Sequence, residues 1–242
     1  MKIVIVGASS GIGREVAKLF LAQGHEVGLA ARREEPLLEL QKLWPRHVEV
    51  ARLDVTSPDA AERLRMLFGQ MGDVDVYLHV AGVGRQNRDL QPDVEEQTML
   101  TNAVGFTRCI DFAFRYFSER AAGGHIAAIS SIAGVRGLGV APAYSATKAM
   151  QNTYLEALAQ LARIRGLDIA VTDIRPGFVD TDLLSGTYRY PMLMSPRRVA
   201  EKVARAIMRR RRVVIIDWRY RVLVFFWRLV PHALWRRLRI SN

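Results

Sequence analysis

The sequence predicts an α/β fold: a doubly wound, mostly parallel seven-stranded sheet with helices on both faces, followed by a C-terminal amphipathic helical tail. Three observations carry this. Short, continuously apolar, β-branched runs alternate with longer segments of helical spacing, the pattern of strands buried on both faces. Glycines cluster directly after the first such run. The 242 residues are half hydrophobic, enough for one large α/β domain. Right-handed crossovers turn the alternation into a doubly wound sheet.

Strands are expected at 3–6, 26–31, 48–53, 75–80, 125–130, 168–174 and 213–216. Helices are expected at 14–23, 36–44, 58–68, 94–117, 143–165 and 196–208. Ser57 before Pro58, and Ser195 before Pro196, each offer an N-cap followed by proline at the first helical position. Gly24 and Gly166 follow helical segments, where a left-handed residue ends a helix. Residues 1–217 read as one domain and 218–242 as a basic, aromatic tail. No repeat or low-complexity linker interrupts them.

The net charge of +11 is unevenly placed. Residues 197–242 hold fourteen Lys/Arg against two Asp/Glu, and the remainder holds 21 against 22. The basic character belongs to the end of the chain. The single cysteine, Cys109, lies in an apolar stretch and reads as a buried small hydrophobe. The apolar run at 3–6 is too short for a secretory signal. An intracellular, reducing compartment is expected, with the protein cytoplasmic or peripheral on the inner face of a membrane.

The first strand ends in Gly7-Ala8-Ser9-Ser10-Gly11-Ile12-Gly13, and a helix follows. Glycines so placed let the backbone turn, approach a pyrophosphate and pack helix on strand. The helix N-terminus offers free N–H groups to phosphates. The second strand ends in Ala31-Arg32-Arg33. An acid there would hold the adenosine 2′-hydroxyl of NAD, whereas a guanidinium pairs with a 2′-phosphate. NADP(H) is therefore expected over NAD(H). No metal-ligand set is expected.

Tyr144 and Lys148 are four residues apart in a helical segment, so phenol and ammonium share a face. A free tyrosine has a pKa of about 10, which a neighbouring cation lowers. Such a tyrosine can give a proton to a developing alkoxide. Ser131 ends the fifth strand thirteen residues earlier, at the sheet edge where open α/β sheets carry their sites. Its hydroxyl could bond the substrate oxygen. Asn102 could hold a water joining Lys148 to solvent.

These residues resemble the short-chain dehydrogenase/reductase family in its single-domain form. The resemblance covers residues 1 to about 217 and runs in order: Gly7 to Gly13, Asp54-Val55, Ala81-Gly82, Asn102 to Gly105, Ser131, Tyr144 to Lys148, and Pro176-Gly177-Phe178-Val179-Asp180-Thr181. It implies a Rossmann-type fold with Tyr144 as acid/base. Lys148 would lower its pKa and bind the nicotinamide ribose. Ser131 would orient the carbonyl, and Asn102 would maintain a proton relay. Asp54 would contact the adenine, and Val179 and Thr181 the carboxamide end of the cofactor. Arg32 matches the basic position of NADP-preferring members. Val6 stands where the family usually has Thr, and His79-Val80 where it has Asn-Asn. His79, ending a buried strand, reads as structural.

The expected function is reversible hydride transfer between NADP(H) and a carbonyl/alcohol pair. Residues 178–194 usually cover the substrate in this family. Here they carry Leu183, Leu184, Tyr188, Tyr190, Met192, Leu193 and Met194, which suits a hydrophobic or lipid-like ketone or alcohol. Alternatives are a soluble 3-oxoacyl-thioester reductase and a non-catalytic NADP-binding redox sensor. Family members form homo-oligomers, dimers or tetramers.

The tail carries Trp218, Phe225, Phe226, Trp227 and Trp235 among arginines. It is too short and too interrupted to span a bilayer. On a helical wheel Arg221, Arg228, His232, Arg236 and Arg239 cluster, and Pro231 should kink or split the helix. Three readings compete: a helix packed on protein, a membrane-surface anchor, and nucleic-acid binding, which lacks any reading motif. Arg209 to Arg212 fall at a helix C-terminus, where cations complement the dipole.

Overall fold

A computed structural model describes residues 1–184 and 190–240. The chain runs β1 (Lys2–Val6), α1 (Gly11–Ala22), β2 (Glu26–Ala31), α2 (Glu35–Leu43), β3 (Val48–Arg52), α3 (Ala60–Met71) and β4 (Val76–His79). It continues α4 (Pro92–Met99), α5 (Phe106–Ser118), β5 (Gly124–Ile129), α6 (Pro142–Ile164), β6 (Ile169–Arg175), α7 (Pro196–Met208), β7 (Val213–Ile215), α8 (Trp218–Leu229) and α9 (His232–Trp235). The seven strands pair in the order β3-β2-β1-β4-β5-β6-β7, and every pairing is parallel. The expected mostly parallel sheet is thus parallel throughout.

Both faces of the sheet are covered, so its strands must be apolar on both sides. In β1, Ile3 and Ile5 join one core with Val16 and Phe20 of α1, Leu37 of α2 and Val203 and Ile207 of α7. Val4 and Val6 join the other with Leu64 of α3, Phe106 and Phe117 of α5 and Leu155 of α6. Each fully buried side chain of this size contributes about 1.5–3 kcal/mol. Cys109 belongs to the second core, and burial pushes its thiol up to about 12. It is the inert small hydrophobe the sequence suggests.

The chain starts at the centre of the sheet, winds out to β3, then crosses back to lay β4 beside β1. The order reverses between β1 and β4, and crevices at such switch points hold ligands. Gly7 follows β1 with φ +93°, and a Cβ there would stand 2.5 Å from the Ala81 backbone nitrogen after β4. Only glycine lets the two strand ends approach this closely.

Two local expectations are corrected. The helix expected at 94–117 is two helices, α4 and α5, joined by a π-turn at Leu100–Gly105. The Asn102 carbonyl accepts from Gln151 Nε2 at 2.7 Å, a tertiary bond that rewards the wider turn. Ser57-Pro58 does not open a helix: α3 begins at Ala60 with Asp59 before it. Ser57 instead donates its hydroxyl to Asp59. Ser195-Pro196 does open α7, with the Ser195 hydroxyl accepting from the Arg198 N–H at 3.4 Å. Gly24 and Gly166 end their helices at φ +78° and +65°.

Proline splits the tail as expected: α8 stops at Leu229 and α9 starts at His232. The single wheel drawn through residue 239 does not hold across that break. One face of the tail packs on the domain. Tyr220, Val224 and Trp235 are buried, and the Trp235 indole donates to the Gly137 carbonyl at 2.8 Å.

Candidate active site

The glycine turn is built for an anion. A Cβ at Gly13 would collide with the Gly7 carbonyl oxygen, so the first turn of α1 sits directly on the turn after β1. Gly11 takes φ +54°, and a Cβ there would meet only the Thr181 side chain, at 3.0 Å. Ile12 packs at the edge of the core. Ser10 precedes α1 in extended conformation with no side-chain cap, and no acid lies in the first turn. The positive helix end and its N–H donors are thus left for a ligand. These residues fit a dinucleotide phosphate.

Arg33, not Arg32, turns onto that loop. Its guanidinium donates to Ser10 Oγ at 3.1 Å and Ser9 Oγ at 3.5 Å. It lies 4.0 Å from Asp182 across the mouth. Arg32 is exposed beside it at the end of β2. Asp54, beyond β3, accepts from the Thr56 backbone N–H and hydroxyl at 2.9 and 2.8 Å. Arg108 donates to the carbonyls of Val55, Thr56 and Ser57 at 3.3, 3.1 and 2.7 Å, fixing this rim. Val55 packs under Gly105.

Ser131, Tyr144 and Lys148 converge at the carboxyl end of β5. Ser131 begins a short 3₁₀ turn at Ile132–Val135, and its hydroxyl accepts from the Ala133 N–H at 3.0 Å. Tyr144 and Lys148 stand on the first turns of α6. The Lys148 Nζ is 5.8 Å from the Tyr144 ring centroid. A Cβ at Gly84 would lie 2.6 Å from the Tyr144 ring, so the ring rests on bare backbone. A Cβ at Gly82, next to Ala81, would stand 3.2 Å from Asn102 Oδ1 and 3.7 Å from Lys148 Nζ.

The electrostatics depart from the expected pattern. Burial raises the Tyr144 phenol above its ordinary range, and a hydrogen bond with Ser131 opposes that. Lys148 makes its own hydrogen bonds beside the ring. Its ammonium donates to the Ile129 carbonyl at 3.1 Å and to Gln151 Oε1 at 2.9 Å. Burial pushes Lys148 down to about 8, with the Asp173 charge opposing. Burial thus shifts both groups toward their neutral forms, the phenol upward and the amine downward.

Asn102 is fully buried. Its amide donates to the Val83 carbonyl at 2.7 Å and accepts from the Val83 N–H at 2.9 Å. It also donates to Thr147 Oγ1 at 3.3 Å. The expected partner for Lys148 was Asn102 through water. The direct link is Gln151, which bonds Lys148 with one end of its amide and the Asn102 carbonyl with the other. Gln151 escaped the sequence reading, although it lies seven residues after Tyr144 on the same helix face. Glu95 was missed too. It accepts from the Ala143 N–H at 3.0 Å, capping α6 one residue before Tyr144. Behind the site Ser130 donates to Asp173, which pairs with Arg175 at 2.6 Å. His79 is structural, as expected. It is buried, Nδ1 lies 2.8 Å from the Tyr77 hydroxyl, and burial lowers it to about 3.

Over the site, Val179 bridges to Met194, and Thr181 donates its hydroxyl to the Val179 carbonyl at 3.3 Å. Phe178 and Tyr190 meet at 4.8 Å between ring centroids. Leu183 and Leu193 are exposed, Leu184 and Met192 half-buried and Met194 buried. Tyr188 lies outside the described residues. Gly177 follows Pro176 and lies against the Tyr220 ring of α8. No group of three or more acidic, His or Cys side chains able to hold a metal occurs among the described residues.

A parallel α/β sheet with a glycine turn at its switch point, and a Ser-Tyr-Lys cluster beside it, defines a dinucleotide-dependent oxidoreductase. Comparison with known proteins agrees. The chain belongs to the short-chain dehydrogenase/reductase family: the model of short chain dehydrogenases matches residues 1–189. It is 34% identical over 250 residues to an uncharacterised oxidoreductase of Myxococcus xanthus, covering 98% of this chain and 96% of that one. A short chain dehydrogenase of Burkholderia cenocepacia in complex with NADP superposes with TM-score 0.84 at 20% identity, covering 99% and 98% of the two chains. A serine dehydrogenase complexed with NADP+ gives TM-score 0.75 at 28% identity, with coverage of 84% and 87%.

Proposed function

We propose that this oxidoreductase interconverts a ketone or aldehyde and an alcohol with NADP(H), on a hydrophobic or lipid-like substrate. One observation carries the reading: Ser131, Tyr144 and Lys148 meet at the carboxyl end of β5, with Lys148 Nζ 5.8 Å from the Tyr144 ring centroid and Lys148 itself buried. Bound NADPH supplies the hydride that the carbonyl carbon receives. Tyr144 gives its proton to the carbonyl oxygen, and Ser131 donates a hydrogen bond to that oxygen as charge develops. The tyrosinate left behind regains a proton through Lys148, which Gln151 and Asn102 hold in place.

The cofactor assignment rests on this chain's own donors. Gly7 to Gly13 and the α1 N-terminus would hold the pyrophosphate, Asp54 and Val55 the adenine end, and Ala81-Gly82 would complete the cofactor site. Pro176-Gly177, Val179 and Thr181 would hold the carboxamide end. Arg33, and Arg32 beside it, would meet the 2′-phosphate, and no acid ends β2 to repel it. The serine dehydrogenase relative is complexed with NADP+, which supports the same preference. We assign residues 1–217 to the catalytic unit and 218–242 to a separate tail. Exposed Met99, Leu100, Val104, Leu161 and Ile164 support homo-oligomerisation through the α4–α6 face.

The test is spectrophotometric: NADPH against a panel of aliphatic, steroid-like and acyl-thioester ketones. Oxidation of NADPH with the lipid-like ketones is expected. Turnover confined to acyl-carrier substrates would replace this reading with a thioester reductase. Tight NADPH binding without turnover on any ketone would replace it with a sensor.

A further inference from the structure

The tail has a second face that the site does not use. Tyr220 and Val224 turn inward, and Trp227 leans on Trp235 with ring centroids 5.4 Å apart. Trp218, Val222, Phe225, Phe226 and Leu229 turn outward, exposed by 66, 47, 60, 59 and 62%. At about 100° per residue these five fall in one sector of roughly 100°. Arg219 borders it on one side, and Arg221 and Arg228 on the other. A contiguous apolar stripe of this size on an exposed helix marks a binding surface.

We propose that this face lays α8 flat on an anionic lipid bilayer and sets the mouth of the active site at the lipid surface. Charge selects the occupant. Residues 197–242 hold fourteen basic residues against two acidic ones. One of those acids, Asp217, is buried and bonded to Arg219 at 3.0 Å. Lys202, Arg205, Arg209 and Arg211 line a cleft that Arg221 also lines, so the basic surface runs from the end of α7 onto the flank of α8. A second copy brought face to face would set these arginines against their own kind. An anionic bilayer attracts them, buries the stripe at the acyl boundary and lets the arginines snorkel to headgroups. No helix among the described residues is long and apolar enough to cross a membrane, so α8 would lie in the plane.

The inner face joins this surface to the site. The Tyr220 hydroxyl accepts from the Phe178 N–H at 3.1 Å and donates to the Pro191 and Met192 carbonyls at 2.9 and 3.2 Å. Arg136, in the loop that follows Ser131, donates to the carbonyls of Trp227, Arg228 and Val230 at 3.1, 3.0 and 2.7 Å. The docked helix is thus bolted to both the cover over the site and the loop from its catalytic serine. A lipid-dissolved carbonyl would reach Tyr144 from the bilayer. That last step rests on the reductase reading, and the docking does not.

The full chain is sedimented with phosphatidylglycerol/phosphatidylcholine vesicles and with phosphatidylcholine alone. Wild type should bind the anionic vesicles, less so at high salt. Its tryptophans should be quenched by brominated acyl chains. The double variant Phe225→Glu/Phe226→Glu changes only exposed side chains, so NADPH binding and melting temperature should hold. Its vesicle affinity should fall about tenfold or more. No binding of wild type to anionic vesicles, or equal binding by the variant, overturns the proposal. So does light scattering that shows a dimer broken by the variant while vesicles are ignored, which would give the stripe to a second copy. With a vesicle-dissolved ketone the variant should lose turnover, and with a water-soluble ketone it should keep it. Equal loss on both overturns delivery from the bilayer. Absence of turnover by wild type on either ketone overturns the reductase reading, and the sedimentation result stands apart from it.

Discussion

Two tyrosines occupy the third position of their helices and meet opposite fates. Tyr144 follows Pro142 and Ala143 in α6, and Tyr220 follows Trp218 and Arg219 in α8. Burial raises both phenols. Four residues on, Tyr144 has Lys148 and Tyr220 has Val224. The Tyr220 hydroxyl accepts from one backbone N–H and shares its proton between two carbonyls, and its ring fills the space that Gly177 leaves. Tyr144 faces a serine hydroxyl whose oxygen accepts from the Ala133 N–H, and its ring rests on Gly84. A buried phenol that both accepts from and donates to the backbone is a structural bolt. One that keeps hydrogen-bonding capacity beside a buried amine fits the acid/base role proposed for Tyr144.

The largest effect should come from removing that capacity. Tyr144→Phe keeps the ring and loses the proton donor. Turnover of the best ketone should fall about 10²–10⁴-fold, with NADPH affinity and melting temperature nearly unchanged. Full retention of turnover would erase the distinction between the two tyrosines.

The buried amine sharpens it through pH. Lys148 sits near 8 in the folded protein against 10.5 when free. Between those values the unfolded chain holds a proton that the folded protein lacks. Folding stability from this group therefore rises with pH across that window, and its burial cost is fully felt below it. Measured against Lys148→Met, the wild type should gain stability as pH climbs from about 8 to 10.5, with a slope approaching one proton. A flat difference would mean that Lys148 is not desolvated. Turnover should be lost in the variant at every pH.

Tyr220→Phe should give the mirror image of Tyr144→Phe. The ring stays against Gly177, while the Phe178 N–H and the Pro191 and Met192 carbonyls lose their partner. Stability should drop by about 1–3 kcal/mol, and KM should rise more than kcat falls because the cover over the site loosens. A fall in kcat with KM and melting temperature unchanged would make Tyr220 a reagent too.

The contrast also explains what the sequence made legible. The sheet, the glycine turn and the trio Ser131, Tyr144 and Lys148 depend on periodicity and short spacing, which a single chain displays. Gln151 obeys the same rule, three residues after Lys148, and was readable there. Arg136 was not: its partners lie at 227–232, some ninety residues away, and nothing local marks it. The same holds for Asn102. Its bonds to Val83 and Gln151 belong to the π-turn that divides one expected helix into α4 and α5. Ser57-Pro58 carried a sound cap signal, yet the hydroxyl found Asp59 instead. The two faces of α8 could be drawn only once Tyr220 showed which one the body had taken.

The smallest expected effect concerns two arginines that differ as the tyrosines do. Arg33 is drawn onto the glycine turn by the neutral hydroxyls of Ser9 and Ser10, and Arg32 stays exposed at the strand end. A guanidinium bonded to hydroxyls, with the Asp182 carboxylate no nearer than 4.0 Å, keeps donors for a stronger acceptor, and a phosphate is one. Arg33→Ala should therefore raise KM for NADPH about tenfold and leave KM for NADH nearly unchanged, since a charge-assisted bond is worth roughly 1.5–3 kcal/mol. Arg32→Ala should shift the same ratio less. Reversal of the two would return the 2′-phosphate to Arg32, the position that resemblance to the family first suggested. Equal response to both cofactors in both variants would remove the basis for preferring NADP(H).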